Sequence, residues 1–243
     1  MSQPILLQVS NLTKTFGNLI AVNDVSLQIH AGEIVGLIGP NGAGKTTLFN
    51  AITGLSRLDG GRVQFKGADI TTSLPHKICH LGMSRTFQVT KAFNNMTVED
   101  AIRVGAYNRH SEKGVDVKVD EVVQFCGLEK IRGWKCGDLG LASLRRVELA
   151  RAMATEPELL LLDESGAGLN ATELAELMVM LRRLNDEMGV TLCVVEHVMP
   201  MVMGLCHRIV VLDSGRLIAA GTPDEISCNQ RVIEAYLGER AVR

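Results

Sequence analysis

The sequence predicts an α/β fold: a mainly parallel central sheet, an N-terminal antiparallel β region and a helical subdomain inserted in the α/β core. Three observations carry this. Short runs rich in Val, Ile and Leu alternate with helical patterns in the C-terminal half, no helix-length pattern precedes Gly39, and strand signals vanish between about Lys91 and Ala142.

Taken in order, Ile5 to Val9, Val22 to Ile29 and Glu33 to Ile38 are apolar runs of strand length. The turn-sized gap His30-Ala31-Gly32 separates the second from the third, so this region is read as antiparallel strands. Lys45 to Leu55 is amphipathic. Val98 to Tyr107 and Val117 to Cys126 look helical, with Gly105, Gly114, Gly127, Gly133 and Gly137 as punctuation, which places the helical subdomain at about 91–142. Leu159 to Leu162 is continuous rather than alternating, as a strand buried on both faces requires. Thr191 to Glu196 and Arg208 to Leu212 are further strands. Between Ala171 and Met188, Leu174, Leu177, Met178, Leu181 and Leu184 fall at helical spacing; Asn170 is placed to cap that helix with Glu173 three residues on, and Gly189 to stop it. There is no internal repeat, so residues 1–243 read as one domain.

Composition removes several function classes. Lys plus Arg is 25 against 27 for Asp plus Glu, a net charge of -2, and no nucleic-acid partner is expected from it. No apolar run reaches the roughly 18 to 20 residues that a membrane-spanning helix needs. The opening Met1-Ser2-Gln3-Pro4 lacks a basic n-region, and cysteines 79, 126, 136, 193, 206 and 228 are scattered without a CxxC pair. Both features point to reduced thiols in the cytoplasm and away from a zinc site.

The chemistry begins at Gly39-Pro40-Asn41-Gly42-Ala43-Gly44-Lys45-Thr46, which satisfies GxxxxGK[ST] between a predicted strand and a predicted helix. In such a loop the backbone N–H groups of Gly39, Asn41, Gly42, Ala43, Gly44 and Thr47 can wrap phosphate oxygens. Lys45 neutralises the β and γ phosphates, and the Thr46 hydroxyl can ligate Mg²⁺. Further on, Leu159-Leu160-Leu161-Leu162-Asp163-Glu164 delivers two acids to the carboxyl end of a buried strand, where open α/β sheets bind ligands. Asp163 is suited to hold Mg²⁺, and Glu164 to orient or deprotonate the attacking water. ATP and Mg²⁺ are the expected cofactors.

With these segments in this order, followed by Glu196-His197, and with Ser84-Arg85-Thr86-Phe87-Gln88 and Arg145-Arg146-Val147-Glu148-Leu149-Ala150-Arg151 between them, the chain resembles the ATP-binding subunit of an ABC transporter. It is most similar to the subunits serving branched-chain amino-acid importers, through Phe87-Gln88, Ala167-Gly168-Leu169-Asn170 and the tail Val232 to Gly238. The resemblance implies that Gln88 contacts Mg²⁺ and water while sensing a membrane partner, that His197 contacts the γ-phosphate, and that Phe16 stacks on adenine with Val22 as a packing neighbour. It also implies transmembrane permease subunits, a second ABC ATPase subunit, a solute-binding protein reached indirectly, and a location on the inner face of the cell membrane.

Four residues depart from the family pattern. Where the family has LSGGQ, this chain reads Leu139-Gly140-Leu141-Ala142-Ser143, so Gly140 replaces a phosphate-contacting serine and Ala142 a glycine. Ser165 and Ala171 replace prolines, a change expected to loosen the loop leading to Asn170. The leading expectation is an importer motor in which two nucleotide-binding subunits clamp two Mg-ATP molecules, here as a heterodimer. The alternatives are a nucleotide-binding regulatory subunit with little turnover, which the degenerate signature favours, and a soluble non-transport ABC ATPase. The last typically carries a coiled-coil insertion or a second cassette, and the sequence has neither.

Overall fold

The computed structural model describes residues 3–87 and 93–237. Two long strands open the chain, β1 (Ile5–Phe16) and β2 (Leu19–His30), joined by a turn at Gly17-Asn18 and paired antiparallel. The antiparallel expectation holds, but the partner differs from what the His30-Ala31-Gly32 gap suggests. β2 pairs with β1, and that short link carries the chain out of the first sheet into β3 (Ile34–Ile38), the middle of a second sheet.

After β3 come α1 (Lys45–Ile52), β4 (Gly60–Phe65), β5 (Ala68–Asp69), α2 (Pro75–Leu81) and β6 (Met83–Arg85). The helical subdomain contributes α3 (Val98–Ala106) and α4 (Glu112–Phe125), then short 3-10 turns lead to α5 (Leu141–Met153). The remainder is β7 (Leu159–Asp163), α6 (Ala171–Met188), β8 (Thr191–Val195), α7 (Met199–Leu205), β9 (Arg208–Asp213), β10 (Arg216–Gly221), α8 (Pro223–Ser227) and α9 (Gln230–Leu237). The antiparallel sheet has the order β2-β1-β4-β5, and the second sheet the order β10-β9-β3-β8-β7-β6. Among the described residues, the β9–β10 pairing is the one antiparallel pairing of the second sheet.

Burial on both faces explains the continuous apolar runs. Leu160 and Leu162 of β7 enter one core with Leu192 and Val194 of β8, on the side of α3 to α7, while Leu159, Leu161, Cys193 and Val195 enter another, shared with α1 and the antiparallel sheet. Successive side chains of a strand point to opposite faces, so each run feeds both cores. Helix α6 follows its sequence signals closely. The Asn170 side chain accepts from the amides of Thr172 and Glu173, Glu173 returns the bond to the Asn170 amide, and Gly189 caps the other end in the left-handed conformation at φ 68°. In the helical subdomain, Arg103 bonds Glu99 of its own helix and Asp116 of α4, while Arg132 bonds Glu99 and Asp120. That network ties α3, α4 and the loop after them.

Candidate active site

Because β3, β6, β7 and β8 are mutually parallel, their carboxyl ends meet at one edge of the sheet. The glycine loop leaves β3 there, Thr86 and Phe87 leave β6, Asp163 and Glu164 leave β7, and Glu196 and His197 leave β8. Open α/β sheets bind ligands at this edge, so the predicted site residues converge by topology from positions up to 158 residues apart, Gly39 and His197.

The loop is caged by neighbouring backbone. A Cβ on Gly39, at φ 153°, would lie 2.0 Å from the Leu212 carbonyl oxygen, and one on Gly44, at φ 100°, 2.4 Å from that of Ala21. Glycine is therefore required at both positions for conformation and for space. The cage positions the loop from three sides: Gly215 donates its amide to Ala43 and accepts from Asn23, which links the β9–β10 turn to the loop and to β2. Gly44 ends the loop as the cap of α1 and offers no side-chain bond to the first-turn amides, which leaves that helix N-terminus open to an anion.

Lys45 is buried at 7% exposure, and its Nζ donates to the carbonyls of Gly39 at 2.7 Å and Pro40 at 3.0 Å. Burial lowers its pKa, and the negative charges of Glu164 and Asp163 only partly offset that push. A cation held by carbonyls over its own loop can be exchanged onto phosphate oxygens, which are stronger acceptors. Thr46 is the next residue of α1.

Asp163 is 1% exposed. Arg85 donates to its Oδ2 at 2.7 Å, whereas its Oδ1 is buried with no hydrogen-bond partner among the described residues. An orphaned carboxylate oxygen, a threonine hydroxyl on the facing helix and all-oxygen donors fit Mg²⁺. Among the described residues no three His, Cys, Asp or Glu side chains cluster as a metal cage, so nucleotide phosphates would have to complete the coordination shell.

Glu164 adopts φ 52°, a left-handed conformation uncommon outside glycine, and its Oε1 lies 3.5 Å from His197 Nδ1. The structure thus brings together two residues that the sequence placed 33 positions apart. Glu196 was not among the predicted site residues. It is fully buried, its Oε1 accepts from the Gly166 amide at 2.7 Å and from the Ser165 hydroxyl at 3.4 Å, and burial raises its pKa. It holds the loop after Glu164 against the end of β8, beside His197. Ser165 therefore gains a bond that proline could not make. The available signal was an acidic side chain closing an otherwise apolar strand.

Phe16 is 55% exposed at the tip of the β1–β2 hairpin, with Lys14 Nζ 5.2 Å from its ring centroid. Val22 is buried below, near the position a Cβ of Gly44 would take, so the hairpin borders the loop and leaves the Phe16 ring open for stacking. Gln88 lies outside the described residues. Gly140 is the N-cap of α5, which starts at Leu141, and among the described residues no side chain caps it.

A groove of about 1050 Å³ runs from Thr46 and Asp163 to the helical subdomain, with Leu55, Phe87, Tyr107 and Arg151 among its walls. Comparison with known proteins gives this geometry a family. The family described as "ABC transporter" matches residues 22–167. The chain belongs to the ABC transporter family. It is a nucleotide-binding ATPase of transport complexes, and membrane permeases are the partners such a subunit serves. A second family, "Branched-chain amino acid ATP-binding cassette transporter", matches residues 216–242.

The chain is 38% identical to the high-affinity branched-chain amino acid transport ATP-binding protein BraF of Pseudomonas aeruginosa, over 98% of this chain and 100% of the relative. It is 39% identical to LivG of Salmonella typhimurium, a protein of the same description, with the same coverage. Among solved structures, the ADP conformation of an ATP-binding cassette of an ABC transporter matches with a TM-score of 0.87 and 29% identity, over 98% of this chain and 100% of the other. Among the described residues no helix is long and apolar enough to cross a membrane.

Proposed function

We propose that this ABC ATPase powers the import of branched-chain or related amino acids from the cytoplasmic face of the cell membrane. In this reading it closes on ATP as one half of a heterodimer with a second ATPase subunit, and a solute-binding protein delivers the cargo to the permeases. The observation that carries the reading is the likeness to branched-chain amino-acid transport subunits over 98% of the chain, joined by the match of residues 216–242 to that family's C-terminal segment. The groove beside Phe87 and Tyr107 is apolar and open, which suits docking of a permease segment.

Within the site each residue has a proposed task. Phe16 stacks on adenine. The amides of Gly39, Asn41 to Gly44 and Thr47 surround the phosphates with Lys45, while Thr46, Asp163 and Gln88 hold Mg²⁺. When bound, the metal supplies charge neutralisation across the β and γ phosphates. Glu164 accepts a proton from the attacking water, and His197, 3.5 Å away, steadies that carboxylate and faces the γ-phosphate. Glu196 fixes the backbone from which Glu164 projects.

The test is uptake of labelled leucine by vesicles carrying the permeases, both ATPase subunits and the binding protein. ATP-dependent accumulation that disappears with Glu164→Gln supports the reading, and accumulation independent of this subunit overturns it. The regulatory alternative draws on Gly140 and Ala142. It would show as ATP binding by this subunit together with full transport when Glu164 is replaced.

A further inference from the structure

Arg85 closes β6, and its position in the sequence assigns it no chemistry. In the fold its side chain is 6% exposed. Nη2 donates to Asp163 Oδ2 at 2.7 Å and Nη1 to Asn50 Oδ1 at 2.6 Å. The guanidinium carbon lies 5.5 Å from the ring centroid of Phe49 and 5.2 Å from that of Phe87. A buried cation is costly unless paired, and among the described residues Arg85 Nε has no hydrogen-bond partner. Its placement therefore satisfies two specific acceptors and leaves a third donor unused.

Those two acceptors lie on the two sides of the metal site. Asn50 follows Thr46 by four residues on α1, so both project from one helix face. Asp163 stands opposite at the end of β7, with Oδ2 held and Oδ1 without a partner among the described residues. One rigid, planar fork thus spans the elements that carry the two candidate oxygen ligands.

We propose that Arg85 is the positioning residue of this site: by gripping Asp163 through Oδ2 and the α1 face through Asn50, it sets the separation of Thr46 from Asp163 and presents Oδ1 to the Mg²⁺ that arrives with ATP. This rests on the nucleotide-hydrolysing reading above. Phe49 on α1 and Phe87 in the groove both pack near the guanidinium, which favours its place beside the carboxylate.

The test measures ATP affinity of the full chain by calorimetry, in Mg²⁺ and in EDTA, with Glu164→Gln present so that nucleotide is not consumed. The readout is the ratio of the two affinities. Arg85→Met should lower that ratio about 10-fold or more, as loss of a group oriented behind a metal ligand does. Affinity in EDTA should stay close to the parent value. Arg85→Lys keeps the charge without the fork and should recover part of the ratio. Asn50→Ala should lower it in the same direction by a smaller factor, and it carries the test if Arg85→Met does not fold. An unchanged ratio in the folded variants would overturn the proposal, as would equal losses in both conditions, the behaviour of a structural staple. A raised ratio would make Arg85 a competitor of the metal and would also overturn it. Absence of ATP binding in the parent would instead remove the nucleotide reading itself.

Discussion

Lys45 and Glu164 lie in one site yet should separate by experiment, because in the proposed function one meets the ground-state phosphates and the other the water that attacks them. Lys45→Ala should weaken ATP binding about 10- to 100-fold, the scale of one or two hydrogen bonds from a charged donor, measured by calorimetry. Glu164→Gln keeps shape and loses the base. Turnover in the assembled complex should fall about 10²- to 10⁴-fold while ATP affinity is retained. Loss of binding in that variant would mean that the φ 52° turn at Glu164 depends on the carboxylate. At this scale the loop and the Asp163-Glu164 pair were legible because their residue types and spacing are local. Arg85 and Glu196 were not, since their partners Asp163 and Gly166 lie 78 and 30 residues away.

At the scale of elements, α5 is where the family pattern is broken. Gly140 has φ -69°, and a Cβ there meets nothing within 4 Å, so serine fits without strain. Gly140→Ser should stabilise α5 by a few tenths of a kcal/mol at most, about the difference between these residues as N-caps. Its larger effect, together with Ala142→Gly, should be functional: a restored hydroxyl and closer backbone approach should raise hydrolysis of the partner subunit's ATP in the complex, read as phosphate release with only the partner's site active.

A second inter-element link is titratable. Burial tends to raise the Glu33 carboxyl, but the Arg208 guanidinium and the His30 amide outweigh it and hold it below its ordinary value of 4.5. Because the folded value is the lower one, this stabilisation is present above about pH 4.5 and is lost as pH falls through the folded value. Arg208 joins Glu33 and the Gln28 carbonyl, and thereby connects β9, β2 and the approach to β3. Arg208→Met should cost about 1 to 3 kcal/mol at pH 7 and less under acid, by urea unfolding at the two pH values.

For the whole molecule, the prediction concerns assembly. With Gly140 and Ala142 in its signature, this chain should cover a partner's nucleotide poorly while its own nucleotide depends on the partner's signature. Purified alone in ATP, the Glu164→Gln chain should remain largely monomeric by size-exclusion light scattering, and it should form a 1:1 dimer once the second ATPase subunit is added. A stable homodimer hydrolysing ATP at the rate of the full complex would contradict this.

Local order determined what the sequence by itself conveys here. Strict helical spacing with a capping box defines α6, unbroken apolar runs define β7 and β8, and a glycine loop between strand and helix defines a candidate phosphate site, each within a span of about twenty residues. The strands β4, β5 and β6 escaped, as did the pairing of β10 with β9, because Gly60 to Phe65, Ala68-Asp69 and Met83 to Arg85 contain no continuous apolar run and draw their stability from neighbours across the sheet. Only the tertiary structure decided that β2 leaves β3 for another sheet, that His197 meets Glu164, and that one arginine spans Asn50 and Asp163. Parallel strands are joined by distant crossovers, so the groups that meet at their ends are set by packing and not by proximity in the chain.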